Sequence, residues 1–160
     1  MTASTSEDLR ERFWTEIGRT RTGMLGVIEG EETRFQPMTA HFDGRDGTFY
    51  FYARADGAIT EMAGGGRSAN FTYAAPGADL FACLHGTLGV ESNAELRRRF
   101  WSEEVGRWFS GGPDSEEVEL LRFEAEAADI WLPQSSPTAS RLGFGSRDRP
   151  EDVRTSLPFN

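Results

Sequence analysis

The chain predicts a mainly β (α+β) fold, a small antiparallel barrel with peripheral helices. Three observations carry this. Its 160 residues suit one compact domain with a real core, and not two. Short apolar runs recur between Gly-, Pro- and Asp-rich turns. The elements also lack the strand–helix–strand alternation that builds a parallel sheet, which argues against a Rossmann-type fold.

The elements follow in order. Thr5 to Asp8 has the form of a capping box, and Leu9, Phe13 and Ile17 recur at helical spacing, predicting a helix over 6–18. Met24 to Ile28 reads as a strand, closed by the turn at Glu29-Gly30-Glu31-Glu32; the returning strand, 33–42, contains Pro37, which implies an edge or a lapse in pairing. Thr48 to Ala53 is a strand buried on both faces, and 56–62 a short helix ended by Gly64-Gly65-Gly66. Ser68 to Ala74 is the next strand, followed by the turn Pro76-Gly77-Ala78-Asp79. Leu80 to Val90 follows, with Leu80, Ala82, Leu84, Leu88 and Val90 on one face. Ser92 and Glu95 form a second capping box, ahead of one longer helix carrying Trp101, Val105, Trp108 and Phe109. Two strands, 118–123 and 129–132, complete the domain over 1–133, and 134–160 reads as a tail or arm rich in Ser, Pro, Gly and Arg.

Composition narrows the chemistry. Twenty-six acidic residues stand against 17 basic ones, a net charge of −9, and every basic side chain is arginine. With no lysine there is no Schiff-base chemistry and no P-loop lysine. The acidic balance argues against nucleic acid and anionic membranes as partners. The single cysteine, Cys83, excludes an intramolecular disulfide and fits a reducing compartment. No leader-like or membrane-spanning apolar stretch is present, so a cytoplasmic protein is expected.

Local motifs do not announce a catalyst. Cys83 and His85 share a strand face, but a metal site needs further ligands, and the ordinary reading as strand residues is preferred. A cysteine nucleophile with His85 as base lacks a visible orienting group. No Gly-x-Ser-x-Gly is present. Gly64-Gly65-Gly66-Arg67 reads as a turn before it reads as an anion cradle, and Arg97-Arg98-Arg99 as a solvated or subunit-contacting face. Tyr52, Trp101, Trp108 and Trp131 suit either a subunit interface or the border of a planar ligand.

Several stretches, in order, resemble a known family. They are Gly23 to Gly26, Gln36 to Ala40, Phe49 to Arg54, Leu84 to Leu88, Phe100-Trp101 through Trp108-Phe109 to Asp114, Leu120 to Phe123 and Ala128 to Leu132. Together they resemble the pyridoxamine 5'-phosphate oxidase-like FMN-binding split-barrel flavoproteins, in the general stress protein 26 branch. The resemblance implies a six-stranded antiparallel split β-barrel that dimerises, with FMN at the subunit interface. It implies a flavin ring along Gln36, Met38, Thr39 and Ala40, and a phosphate approached by Tyr52, Ala53, Arg54, Asp56 and Gly57. Trp131 matches a tryptophan near the end of the barrel, and Trp101 is placed to reach the partner's site.

Three positions depart from the family pattern. Gln36 stands for an arginine, Ala53 for the threonine that gives a hydroxyl to phosphate, and Ala58 or Ile59 for a basic residue. Pyridoxamine phosphate oxidase activity itself is disfavoured, since neither histidine lies in the C-terminal stretch where that enzyme has Arg-x-His. The expectation is therefore a cytoplasmic, homodimeric, FMN-binding general stress protein, which as an enzyme would be a flavin-dependent oxidoreductase acting with a small substrate or electron donor. The alternative is a non-catalytic dimer that sequesters a flavin or other planar ligand. No metal is expected.

Overall fold

The structure is a computed structural model that describes residues 6–133, 136–144 and 154–158. Helix α1 (Ser6–Arg19) is followed by β1 (Thr22–Glu29), β2 (Glu32–Thr39) and β3 (Thr48–Arg54), then α2 (Ala58–Ala63), β4 (Arg67–Ala74) and β5 (Phe81–Glu91). Two short helices, α3 (Ala94–Arg99) and α4 (Glu103–Gly106), precede β6 (Val118–Leu132), β7 (Ser136–Gly143) and β8 (Arg154–Pro158). The proposed capping residue Thr5 lies outside the described residues.

All pairings are antiparallel. Six strands run round a curled sheet in the order β2-β1-β4-β5-β6, with β3 on the far side of β6. The circuit nearly closes between β3 and β2, where one bridge, His41 to Tyr50, is the whole pairing among the described residues. The barrel is split at that seam. Strand β6 serves two neighbours along one edge: its first half pairs with β3, and Ala127 to Leu132 pair with β7. A single 15-residue strand thus replaces the two expected strands at 118–123 and 129–132. Residues 136–143, expected in the tail or arm, form β7 and lengthen the sheet, and β8 pairs with β7.

The barrel interior is aromatic and aliphatic. Phe13, Trp14 and Ile17 of α1 plug one end against Phe49 and Phe144, and Leu25, Phe51, Phe71, Leu84 and Phe123 fill the middle. The Tyr73 hydroxyl donates to the Glu16 carbonyl oxygen at 2.7 Å, pinning α1 to β4. A second apolar cluster explains why β3 is buried on both faces. Tyr50, Tyr52, Val118 and Leu120 point out of the barrel and are covered by Leu96, Phe100, Trp101, Val105 and Phe109.

That cover is two helical turns instead of the one longer helix expected. Asn93, and not Ser92, caps α3, its side chain accepting from the Glu95 and Leu96 amides at 2.8 and 3.2 Å. Ser102 then caps a new start, accepting from the Val105 amide. The break turns Trp108 out to 78% exposure while Val105 remains buried. Val90, expected on the inner face, is 42% exposed. The register shift between His85 and Gly86 leaves Glu126 of β6 as the extra residue, so β5 keeps its alternation through the fully buried Leu88, and Val90 is exposed one step further along, near the end of the strand.

Candidate functional site

The two strands that border the seam, β2 and β3, carry most of the sequence-predicted ligand residues. Strand β2 is an edge strand, exposed from Glu32 through Pro37. On the side away from β1 its backbone has no strand partner among the described residues up to the His41 bridge. Pro37, opposite Met24, stands in β2 without breaking the β1 ladder. At the end of β2, Met38 and Ala40 turn inward and are buried, while the Thr39 and Thr22 hydroxyls meet at 3.0 Å. Gln36 is exposed on the same side of β2 as Met38 and donates through Nε2 to the Met38 sulfur at 3.2 Å.

His41 closes the seam. Its amide and carbonyl both bond Tyr50, each at 2.8 Å, and its ring packs edge-on against Tyr52 at 5.3 Å between centroids. Burial, helped by the charge of Arg21, lowers its pKa to about 4, so the imidazole is neutral at physiological pH.

Strand β3 delivers the other half. Tyr52 does not face the opening. It is buried beneath α3, its hydroxyl donating to the Arg97 carbonyl oxygen and its ring T-shaped against Trp101 at 5.3 Å. Burial pushes its pKa up to about 12. The Ala53 methyl belongs to the barrel core. Arg54 is exposed and reaches forward to Asp56, with Nε to Oδ1 at 3.1 Å and Nη2 to Oδ2 at 3.4 Å. The Arg54 carbonyl oxygen accepts from the Gly57 amide and, at 2.6 Å, from the Thr60 hydroxyl. Gly57 is the N-cap of α2 and gives it no side-chain cap.

Gln36, Met38, Thr39 and Ala40 thus lie on the β2 side of the seam and the stretch from Tyr52 to Gly57 on the β3 side, with the His41–Tyr50 bridge as the pairing between the two sides among the described residues. Trp101 joins through Tyr52, half-buried within its own protomer. Trp131 stands apart on β6, opposite Phe81, with its indole N–H buried and without an acceptor among the described residues.

A second polar arrangement lies on the outward sheet face. The ring of His85 bridges Asn70 Oδ1 at 2.9 Å and Asp129 Oδ2 at 3.0 Å, and Arg141 grips the same carboxylate at 3.0 and 3.3 Å. The chain spans β4, β5, β6 and β7. Asp129 is buried, which alone would raise its pKa, yet the bonds from Arg141 and His85 hold its carboxyl below the usual range. Sequence reasoning paired His85 with Cys83 and missed Asp129. The signal was cross-strand register, which puts Asp129 opposite Cys83 and is not readable from one strand. With both ring nitrogens engaged, His85 is not free to act as a base for Cys83. Burial and the Asp129 charge also push the thiol pKa up. Among the described residues no group of three metal-ligating side chains is found.

The arginine run is also resolved. Arg97 turns inward to the carbonyl oxygens of Pro113, Ser115 and Val118, Arg98 pairs with Asp114 and Arg99 with Asp43. Arg67 pairs with Glu29 across the β1–β4 edge, and Gly66 adopts φ +80° in the turn before it.

An antiparallel sheet of eight strands where six were expected, curled but not closed and split at one seam beside an open strand edge, defines the split-barrel class of protein. A sequence model of the pyridoxamine 5'-phosphate oxidase-like family matches residues 8–145, and the chain belongs to that family. Within it the likeness is to general stress proteins. A general stress family protein from Xanthomonas campestris pv. campestris is 34% identical, with a TM-score of 0.75 over 84% of this chain and 93% of that one. The general stress FMN/FAD binding protein from the phytopathogen Xanthomonas citri is 35% identical, with a TM-score of 0.74 over 81% and 92%. The general stress protein 26 from Bacillus anthracis str. Sterne shares the fold at 16% identity, TM-score 0.68, over 92% and 98%. No curated protein matches the chain. Among the described residues no helix is long and apolar enough to cross a membrane.

Proposed function

We propose that this chain is a cytoplasmic, flavin-binding general stress protein that works as a homodimer, with the flavin ring at the β2–β3 seam. The observation that carries the reading is the open edge of β2. An edge strand presents alternating N–H and C=O groups. The pyrimidine edge of an isoalloxazine presents acceptor, donor and acceptor in the same plane and can pair with such an edge as a short strand would. Gln36 and Thr39 supply side chains at that edge, and the exposed faces of Met24 and Phe35 on β1 and β2 are apolar surface suited to a second copy. Bound there, the flavin would supply electron or hydride transfer with a small donor or substrate. The protein's part is to hold the ring, shield it and keep it at the subunit boundary.

One observation favours the second reading, a dimer that binds flavin without turning it over. The seam offers no free proton-handling side chain: His41 is buried and neutral, and His85 is engaged on another face. The unpaired edge of β2 supports binding of the ring.

The visible spectrum of the purified protein, with flavin and then NAD(P)H added, separates these readings. A bound flavin that is reduced supports an oxidoreductase, and a bound but inert flavin supports sequestration. No uptake at tens of micromolar flavin overturns both, and a monomer on gel filtration overturns the subunit-boundary site.

A further inference from the structure

We infer that this chain recognises a flavin by its ring and not by its 5'-phosphate, so that riboflavin and FMN bind with similar affinity. The inference rests on the flavin reading above and concerns the end of the seam where the phosphate of FMN would lie. A dianionic phosphate is held by uncompensated cations, or by several N–H and O–H donors aimed at one point. Among the described residues at the exit of β3 no uncompensated cation is found, and the donors there are the backbone amides of the uncapped first turn of α2, a helix of only six residues.

Arg54 is the one arginine at the exit of β3, and its Nε and Nη2 both point to Asp56. The hydrogen bond from the guanidinium holds the Asp56 carboxyl below the ordinary carboxylate range, so at physiological pH Asp56 is ionised and its charge offsets that of Arg54. A phosphate drawn to Arg54 meets the Asp56 carboxylate first. The nearest hydroxyl, Thr60, is already donated to the Arg54 carbonyl oxygen. The Ala53 side chain has no polar atom and points into the core.

The surroundings repel rather than attract. Beside α2, a cleft of about 310 Å³ is lined by Glu29, Glu32, Arg34, Ala58, Glu61 and Met62. Its one arginine lies 3.9 Å from Glu32, and Glu29 is taken by Arg67 at 3.1 Å, which leaves Glu61 as excess negative charge. The chain has no lysine anywhere to swing into this region, and its net charge is −9. The ring end has the complementary character, an unpaired strand edge with polar, uncharged Gln36 and Thr39.

The test compares riboflavin and FMN binding to the full chain by quenching of flavin fluorescence at two salt concentrations. Dissociation constants within tenfold of each other, with equally shallow salt dependence, are expected. Charge-assisted phosphate bonds each contribute on the order of tenfold or more, so FMN bound more than tenfold tighter overturns the inference while leaving the flavin reading intact. Failure of both ligands to bind overturns the flavin reading and this inference together. Asp56→Asn adds an independent arm. It unmasks Arg54, and FMN affinity rises about five- to tenfold while riboflavin affinity stays constant. An FMN affinity unchanged in that variant overturns the role given to Asp56.

Discussion

His41 makes stability depend on pH in a window that no other described group with a lowered pKa occupies. Its imidazole is 6% exposed and lies between the ring of Tyr52 and that of Phe100, whose centroids are 5.3 and 6.1 Å away. Burial and then Arg21 lower its pKa from 6.5 to about 4. Between those values the unfolded chain takes up a proton that the folded chain refuses. Stability is therefore full above pH 6.5, falls as the pH drops, and levels off near pH 4. At ~1.4 kcal/mol per pKa unit, going from pH 7.5 to 4.5 costs roughly 2–3 kcal/mol through this one residue. The Asp129 carboxyl, held low by Arg141 and His85, adds its own loss only at more acidic pH. Urea denaturation at half-unit pH steps measures the slope. In His41→Phe, which keeps an aromatic ring between Tyr52 and Phe100, the slope should largely vanish while stability at pH 7.5 changes by less than about 1.5 kcal/mol. A variant that retains the full slope, or an NMR titration placing His41 near pH 6.5, would refute the reasoning.

Two further positions, Arg97 and Gly86, probe what holds β6 and the loop before it in place. Arg97→Ala removes the guanidinium donor from the carbonyl oxygens of Pro113, Ser115 and Val118, leaving Ser115 only the Val118 amide, and frees the loop that follows α4. A loss of about 2–4 kcal/mol is expected from denaturation curves, with little rescue by Arg97→Lys, since one ammonium cannot span three carbonyls; a loss below about 1 kcal/mol counts against the role. Gly86→Ala places a Cβ 2.1 Å from the Glu124 carbonyl oxygen and 2.8 Å from the Ala125 Cα, backbone atoms that cannot step aside. It should cost about 3 kcal/mol or abolish soluble expression, whereas Gly89→Ala, with open space around it, should stay within about 1 kcal/mol.

The sequence by itself determined the local elements and the composition of the site. Apolar periodicity and turn residues located α1, the strands β1 to β5 and α2 to within a few residues, because those signals are written in neighbouring side chains. The missing lysine was equally legible, whereas Arg54 and Asp56 were both read as approaching a phosphate and only the structure shows them paired with each other. Resemblance in the ordered stretches from Gly23 to Leu132 also pointed to the family that matches residues 8–145.

Only the tertiary structure decided what depends on register and on cover. The expected long helix after Ser92 became two turns, because Ser102 offers a cap and one continuous cylinder would not follow the curved surface of β3 and β6. Tyr52 and Trp101, ambiguous between ligand and interface, are packed against each other because β3 needed a second buried face. Asp129 reached His85, Cys83 and Arg141 through cross-strand neighbours far apart in sequence. The seam itself is a long-range fact: β2 and β3 are consecutive in the chain, yet curling the sheet through β1, β4, β5 and β6 brings their far edges together with one bridge between them. A strand edge left open in this way follows from how the whole sheet closes, and no local pattern encodes it.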